Sequence, residues 1–174
     1  MKKKDNCDHL LFAGIPATGK SFFCSWLARQ HQYVHWDFDQ MLADQAKYRR
    51  ALQPLNGILN ARNPTEAHAF RGQLPPRLAI DWGFPPGNIG VVQQLKSAGF
   101  RIFWFDGDRA RARQEFITRV TVPVSALDIQ MPQIEATWAQ IQALFSPNEI
   151  NVLSADGSRM TEAEIWKVVG RGVA

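Results

Sequence analysis

The chain has 174 residues, of which 45% are hydrophobic and 21% charged, with a formal net charge of +4. This is an ordinary globular composition, long enough for one domain over 1–174 to bury a core without covalent staples. It excludes a helical membrane span, since no apolar run approaches the ~20 residues needed, and the slight basic excess is weaker than a nucleic-acid-binding stripe. Charged Met1-Lys2-Lys3-Lys4-Asp5 is followed by an apolar stretch too short for a secretory signal, so a cytoplasmic protein is expected. Cys7 and Cys24 lack metal spacing and read as reduced thiols. The four histidines, His9, His31, His35 and His68, lack ligand spacing, so no zinc is expected.

His9-Leu10-Leu11-Phe12-Ala13 is a short apolar run that reads as a buried strand. Gly14-Ile15-Pro16-Ala17-Thr18-Gly19-Lys20-Ser21 follows and fits the phosphate-cradling pattern G-x-x-x-x-G-K-[ST]. Phe22, Phe23, Trp26 and Leu27 then recur at helical spacing, predicting a helix from about Lys20 to Gln30. Strand, glycine loop and helix form the arrangement in which backbone N–H groups converge on an anion at the positive end of a helix. Gly14, Pro16, Ala17, Thr18, Gly19, Lys20 and Ser21 are therefore the candidate nucleotide-binding residues. Lys20 would reach the terminal phosphates of ATP, and the Ser21 hydroxyl would ligate Mg²⁺.

Tyr33-Val34-His35-Trp36 is a second strand, ending at Asp37-Phe38-Asp39. Residues 40–76 read as a helical insertion that would set the acceptor. Its helix-forming stretch Met41 to Leu52 is followed by breakers at Pro54, Asn56-Gly57 and Asn63-Pro64. Arg77-Leu78-Ala79-Ile80-Asp81-Trp82 predicts a third strand, closed by Gly83-Phe84-Pro85-Pro86-Gly87. Ile89, Val91, Val92 and Leu95 predict a helix that Gly99 can terminate. Arg101-Ile102-Phe103-Trp104-Phe105 is the fourth strand, followed by Asp106-Gly107-Asp108. Ile134, Trp138, Ile141 and Phe145 stripe one helix at the 3.6 period. Glu149-Ile150-Asn151-Val152-Leu153 is the fifth strand. Thr161 and Glu164 have capping-box spacing for a closing helix with Ile165, Val168 and Val169 on its apolar stripe. Strands alternating with helices predict an α/β fold, a mostly parallel five-stranded sheet covered on both faces.

Ligands of such sheets bind beyond the carboxyl ends of the strands, which selects Asp37, Asp39, Asp81, Asp106 and Asp108. Carboxylates beside a triphosphate suit phosphoryl transfer, where one helps to hold Mg²⁺ and another accepts the proton of the attacking hydroxyl. Asp37 and Asp39 are two apart in a strand, so they are expected on opposite faces, and one can instead cap the next helix. Asp81 reads equally as a metal-orienting carboxylate or a turn residue, while Asp106 and Asp108 read as turn formers. Arg109, Arg111, Arg113 and Arg119 are dense in one segment, 107–131, a candidate lid. Arg113 and Arg119 are the candidate clamps for charge on the transferred group, against the alternative of a solvated helix face. Arg49, Arg50, Arg62 and Arg71 could bind an acidic acceptor. Trp36, Trp82 and Trp104 read as core.

Taken together, the glycine loop, the carboxylates closing strand two, the arginine segment and the terminal strand and helix resemble the small P-loop kinases of the P-loop NTPase fold. Tyr33-Val34-His35-Trp36-Asp37 falls where the 5′-hydroxyl polynucleotide kinase and zeta-toxin group carries its catalytic aspartate. Arg113, Arg119 and Val122-Pro123 resemble its arginine lid. Asp37-Phe38-Asp39 is also similar to the D-x-D of shikimate- and gluconate-type kinases, which implies that the first acid supports Mg²⁺ and the second contacts substrate. The polynucleotide kinases carry adjacent acids followed by arginine, whereas Phe38 separates the acids here and Gln40 follows. The expected activity is ATP- and Mg²⁺-dependent transfer of the γ-phosphoryl group to a hydroxyl of a small metabolite, a sugar, a nucleotide or a nucleic-acid end, with Asp37 or Asp39 as base. The alternatives are a nucleotide-binding regulatory module without acceptor and a toxin kinase acting on a nucleotide sugar. No N-K-x-D segment argues for a guanine-reading switch.

Overall fold

The apolar run ahead of the glycine loop becomes the central strand. A computed structural model of the chain describes residues 7–83, 86–118 and 124–170. In it β1 (Asp8–Gly14) carries Leu10, Leu11, Phe12 and Ala13 with no exposed surface. A strand covered on both faces has no polar side, which is why its sequence shows no alternation. β2 (Val34–Asp37), β3 (Arg77–Asp81), β4 (Arg101–Gly107) and β5 (Glu149–Leu153) join it in the order β2-β3-β1-β4-β5. Every pairing is parallel, so the expected mostly parallel sheet is wholly parallel among the described residues. All five carboxyl ends therefore lie along one edge. The glycine loop leaves β1 at the centre of that edge, between the ends of β3 and β4.

Helices cover both faces. α1 (Lys20–His31) lays Phe23 edge-on against Phe12, with centroids 5.2 Å apart. The closing helix, numbered α9 (Glu162–Val169), meets the same side, Trp166 lying 6.5 Å from Trp26. The Thr161–Glu164 capping box is formed in both directions. Val168, expected in the apolar stripe of that helix, is 42% exposed, because Ile165 and Val169 one turn apart already fill the buried face. On the opposite face stand α5 (Ile89–Ser97) and α8 (Trp138–Phe145), the latter setting the Phe145 ring at a tilt 5.4 Å from Trp104.

Between β2 and β3 stand α2 (Phe38–Ala43), α3 (Gln45–Leu59) and α4 (Pro64–Arg71). The expected breaks at Pro54 and Asn56-Gly57 do not occur, and α3 runs through both. Leu52, Leu55 and Ile58 bury a continuous stripe there, and that tertiary packing outweighs the local cost of a proline and a glycine. Gly57 is a packing notch: a Cβ at this position would lie 2.3 Å from the Phe70 ring of α4. The break at Asn63-Pro64 is real, since the Asn63 side chain accepts from the Glu66 N–H at 2.9 Å and Pro64 opens α4.

α6 (Arg109–Thr118) follows β4. The single helix expected from Ile134 to Phe145 is two, α7 (Val124–Ala136) and α8, separated at Thr137. The Thr137 hydroxyl donates back to the Gln133 carbonyl at 2.8 Å, a local bond that competes with helix continuation. Ile134 and Ile141 remain fully buried, so the stripe survives the bend. No helix among the described residues is long and apolar enough to cross a membrane.

Candidate active site

The glycine loop is held by contacts that leave its conformation little choice. Gly14 has φ 143°, and a Cβ there would fall 2.1 Å from the Phe105 carbonyl oxygen, so β4 passes too close for any side chain. The Ile15 N–H donates to that same carbonyl at 3.1 Å. The loop then turns through left-handed Ala17 and Gly19, with φ 62° and 89°. The Thr18 hydroxyl bonds the Ile15 carbonyl at 2.8 Å. Buried Lys20 donates its Nζ to the Gly14 and Ile15 carbonyls at 3.1 and 2.8 Å. α1 starts at Lys20 without a side-chain cap, so its first-turn amides point into the loop.

A cavity of about 920 Å³ opens beside this loop and joins Pro16, Ala17, Lys20 and Ser21 to Asp37, Asp39 and Asp81. Asp37 and Asp81 are register partners on adjacent strands. The expectation that Asp37 and Asp39 face opposite sides fails. Strand β2 ends at Asp37 and α2 begins at Phe38, so the two-residue alternation stops and the helical turn brings Asp39 back to the same cavity. Phe38 takes the inward place, edge-on to Trp82 at 5.1 Å. Asp37 also caps α2, accepting from the Gln40 N–H at 3.0 Å, which is the capping role expected for one of the two acids. Asp39 accepts from the Gly83 N–H at 2.7 Å. Although its surface opens into the cavity, desolvation raises its pKa from the ordinary 3.8; the Gly83 bond opposes this, and the Asp37 and Asp81 charges add to it. Asp81 is 3% exposed and accepts from His35 Nε2 at 3.2 Å, while His35 Nδ1 lies 3.3 Å from the Ser25 hydroxyl. Asp106 and Asp108 serve local structure: one takes the Trp104 and Gly107 N–H groups, the other caps α6 at the Arg111 N–H.

Among the described residues no group of three His, Cys, Asp or Glu side chains could by itself hold a metal ion. Mg²⁺ does not require one, because it commonly takes one or two carboxylates and completes its shell with phosphate and water. The hydroxyl of Ser21 with the carboxylates of Asp37 and Asp81, all hard oxygens on one cavity wall, fits that kind of shared site.

The arginines are distributed differently from the expectation. Arg113 pairs with Asp128 of α7 at 3.0 Å, half exposed, and is not among the residues lining the cavity. Arg111 pairs with Glu115 at 3.2 Å, and Arg109 lies between Asp106 and Glu135. Arg119 and Val122-Pro123 lie outside the described residues. Arg71 is at the other end of the sheet, donating to His9 Nδ1 at 3.1 Å and to the Cys7 carbonyl, and Arg49, Arg50 and Arg62 are exposed and line no part of the cavity. The arginine that does reach the loop is Arg159, whose Nη2 donates to the Ala17 carbonyl at 2.8 Å while bonding Glu115. Its signal was its place in the connection leaving β5, on the same edge as the loop. Phe116, Leu127, Gln130 and Gln133 also line the cavity without having been singled out. Trp104 and Trp82 are buried as expected, and Trp82 adds one wall of the cavity, while Trp36 packs partly buried against the core. Cys24 is fully buried, and burial pushes its thiol well above the ordinary range, so it offers no nucleophile.

Fold and loop together give the chain the P-loop fold, which it shares with small kinases of known structure. The chain is similar to a gluconokinase from Sinorhizobium meliloti 1021, with a TM-score of 0.54 and 14% identity over 95% of this chain and 91% of the other. It is similar also to the shikimate kinase from Bacteroides thetaiotaomicron, with a TM-score of 0.51 and 11% identity over 94% of this chain and 95% of the other. At such identities the likeness is one of fold. No protein-family model matches the sequence, and no curated protein matches it.

Proposed function

We propose that the protein is an ATP-dependent phosphotransferase that moves the γ-phosphoryl group to a hydroxyl of a small molecule. The observation that carries this reading is one cavity in which the phosphate loop, with Lys20 and Ser21, faces the carboxylates of Asp37, Asp39 and Asp81. The loop amides and Lys20 bind the β- and γ-phosphates and gather the charge that builds on the transferred group. Ser21, Asp37 and Asp81 would hold Mg²⁺, which when bound offsets phosphate charge. Asp39 is the base: a carboxyl with a raised pKa is the better proton acceptor. The acceptor hydroxyl gives its proton to Asp39 as its oxygen forms a bond to the γ-phosphorus. The bond from that phosphorus to the β,γ-bridging oxygen breaks, and ADP leaves with the electron pair. His35, bonded to Asp81, keeps that carboxylate turned into the cavity. The two fold neighbours, whose names are those of small-metabolite kinases, favour a small acceptor over a nucleic-acid end.

Incubation with γ-labelled ATP and a panel of alcohols tests this directly. Label should pass to an acceptor, and Lys20→Ala should lower that transfer at least 100-fold while circular dichroism and melting stay near wild type. Label released only as free phosphate, or an undiminished Lys20→Ala variant, would rule the mechanism out.

A further inference from the structure

A base that takes the acceptor's proton, as the phosphotransferase reading above assigns to Asp39, has to be held in one place. The contact that fixes Asp39 comes from outside its own short helix α2, from the end of β3. The Trp82 N–H donates to the Phe12 carbonyl at 3.0 Å, so the chain is still tied to β1 there. One residue on, the Gly83 N–H donates to Asp39 Oδ2 at 2.7 Å. A Cβ on Gly83 would lie 2.8 Å from that same oxygen, so the missing side chain is what lets the carboxylate come so close to the backbone. Glycine brings a cost, because its two backbone dihedrals are loosely determined. The bond to Asp39 restrains the amide side of Gly83. On the carbonyl side Gln130 Nε2 donates to the Gly83 oxygen. Gln130 belongs to α7, which also lines the cavity through Leu127 and Gln133. Its amide nitrogen is the group needed there, since a carbonyl can only accept.

We infer that Gly83 and Gln130 are the positioning residues of Asp39: Gln130 pins the Gly83 backbone, the Gly83 amide keeps Oδ2 occupied, and Oδ1 takes the acceptor's proton. The helix that walls one side of the cavity thereby also sets the base on the other.

Amide exchange followed by NMR on the full chain reads the pin without an acceptor. In Gln130→Met, which keeps the side chain's length and removes its donor, the Gly83 amide should exchange about tenfold faster, while the Trp82 amide stays as protected as before. Transfer from γ-labelled Mg·ATP is then measured to glycerol, sorbitol, gluconate and shikimate. For the alcohol that takes label, kcat should be about ten- to a hundredfold lower in Gln130→Met and in Gly83→Ala, with the Mg·ADP affinity from calorimetry unchanged. Gly83→Ala should keep its urea midpoint, because the atom its Cβ displaces is the end of a side chain rather than backbone. In an Asp39→Asn background Gln130→Met should cost no further activity, the sign that it acts through Asp39. Unchanged Gly83 exchange in Gln130→Met, undiminished kcat in either variant, or a full further loss in the Asp39→Asn background overturns the inference and leaves the phosphotransferase reading standing. Loss of the fold in Gln130→Met makes that residue structural and overturns the inference as well. Faster Gly83 exchange, with no label passing to any alcohol even in the wild type, supports the pin and overturns that reading.

Discussion

Asp39 shows how far one residue's role depends on where a strand stops. Reading Asp37-Phe38-Asp39 as strand puts the two acids on opposite faces; ending the strand at Asp37 puts both in the cavity and sends Phe38 into the core. The acids themselves were legible, because carboxylates at strand ends are recognisable from spacing alone. Their shared orientation was not, since it turns on a single residue's change from extended to helical backbone. With Asp39 as base, Asp39→Asn should lower kcat about 100- to 10,000-fold while nucleotide affinity is retained. Asp37→Asn should chiefly weaken binding of the Mg²⁺-nucleotide. In the wild type, kcat/KM should fall as pH drops and Asp39 takes up its proton, with a midpoint above the ordinary 3.8 because its folded pKa is raised. Full activity in Asp39→Asn, measured alongside that acid limb, would move the base to Asp37.

Among the elements, the helical insertion was the least legible part. Its breakers were read correctly as residue types and wrongly as breaks: Pro54 and Gly57 sit inside α3, whose buried stripe of Leu52, Leu55 and Ile58 holds the helix together. Only the packing of α4 explains Gly57, because nothing local shows that Phe70 needs the space of a missing Cβ. An alanine in a helix interior ordinarily gains about 1 kcal/mol over glycine. Here Gly57→Ala should instead lose about 1–2 kcal/mol through overlap with Phe70. The same substitution in a Phe70→Ala background should be neutral or stabilising. Urea titrations of the two single variants and the double variant read this reversal of sign, and additive effects would contradict the packing explanation. The split of the long C-terminal stripe at Thr137 has a similar origin, a side-chain-to-backbone bond that hydrophobic spacing does not report.

For the molecule as a whole, the two edges of the sheet do different work. The carboxyl edge gathers the loop and the acids, and the amino edge ties the insertion to β1. There His9, 1% exposed, has its Nε2 2.9 Å from the Pro75 carbonyl and its Nδ1 receiving the Arg71 Nε–H. The ring is therefore neutral in the fold, donating from one nitrogen and accepting at the other. Burial lowers its pKa from 6.5 to about 4; the Pro75 bond opposes this, Arg71 lowers it further, and Asp8 raises it. A base that is harder to protonate in the folded state contributes stability in full above about pH 6.5, and that contribution is lost as pH falls toward 4. Between pH 7.5 and 4.5 it should remove about 2–3 kcal/mol. Denaturant midpoints across this range should fall steeply for the wild type and less steeply for His9→Asn, which is less stable at pH 7.5 but has no ring to protonate. Parallel slopes for the two proteins would assign the acid sensitivity to other groups.

What the sequence determined by itself was everything that depends on short-range spacing: the strand–loop–helix around Lys20, five apolar strands separated by helices, and acids at the strand ends. A mostly parallel sheet was expected from that alternation, because a single helix between two strands returns the chain to start the next strand in the same direction. The tertiary structure alone decided which charged groups meet. Arg159 comes to the loop from the connection leaving β5, Arg113 turns to Asp128, Arg71 runs to the opposite edge, and the three acids meet the phosphate loop in one cavity. Long flexible cations have many partners within reach, and only the three-dimensional arrangement of the helices selects among them.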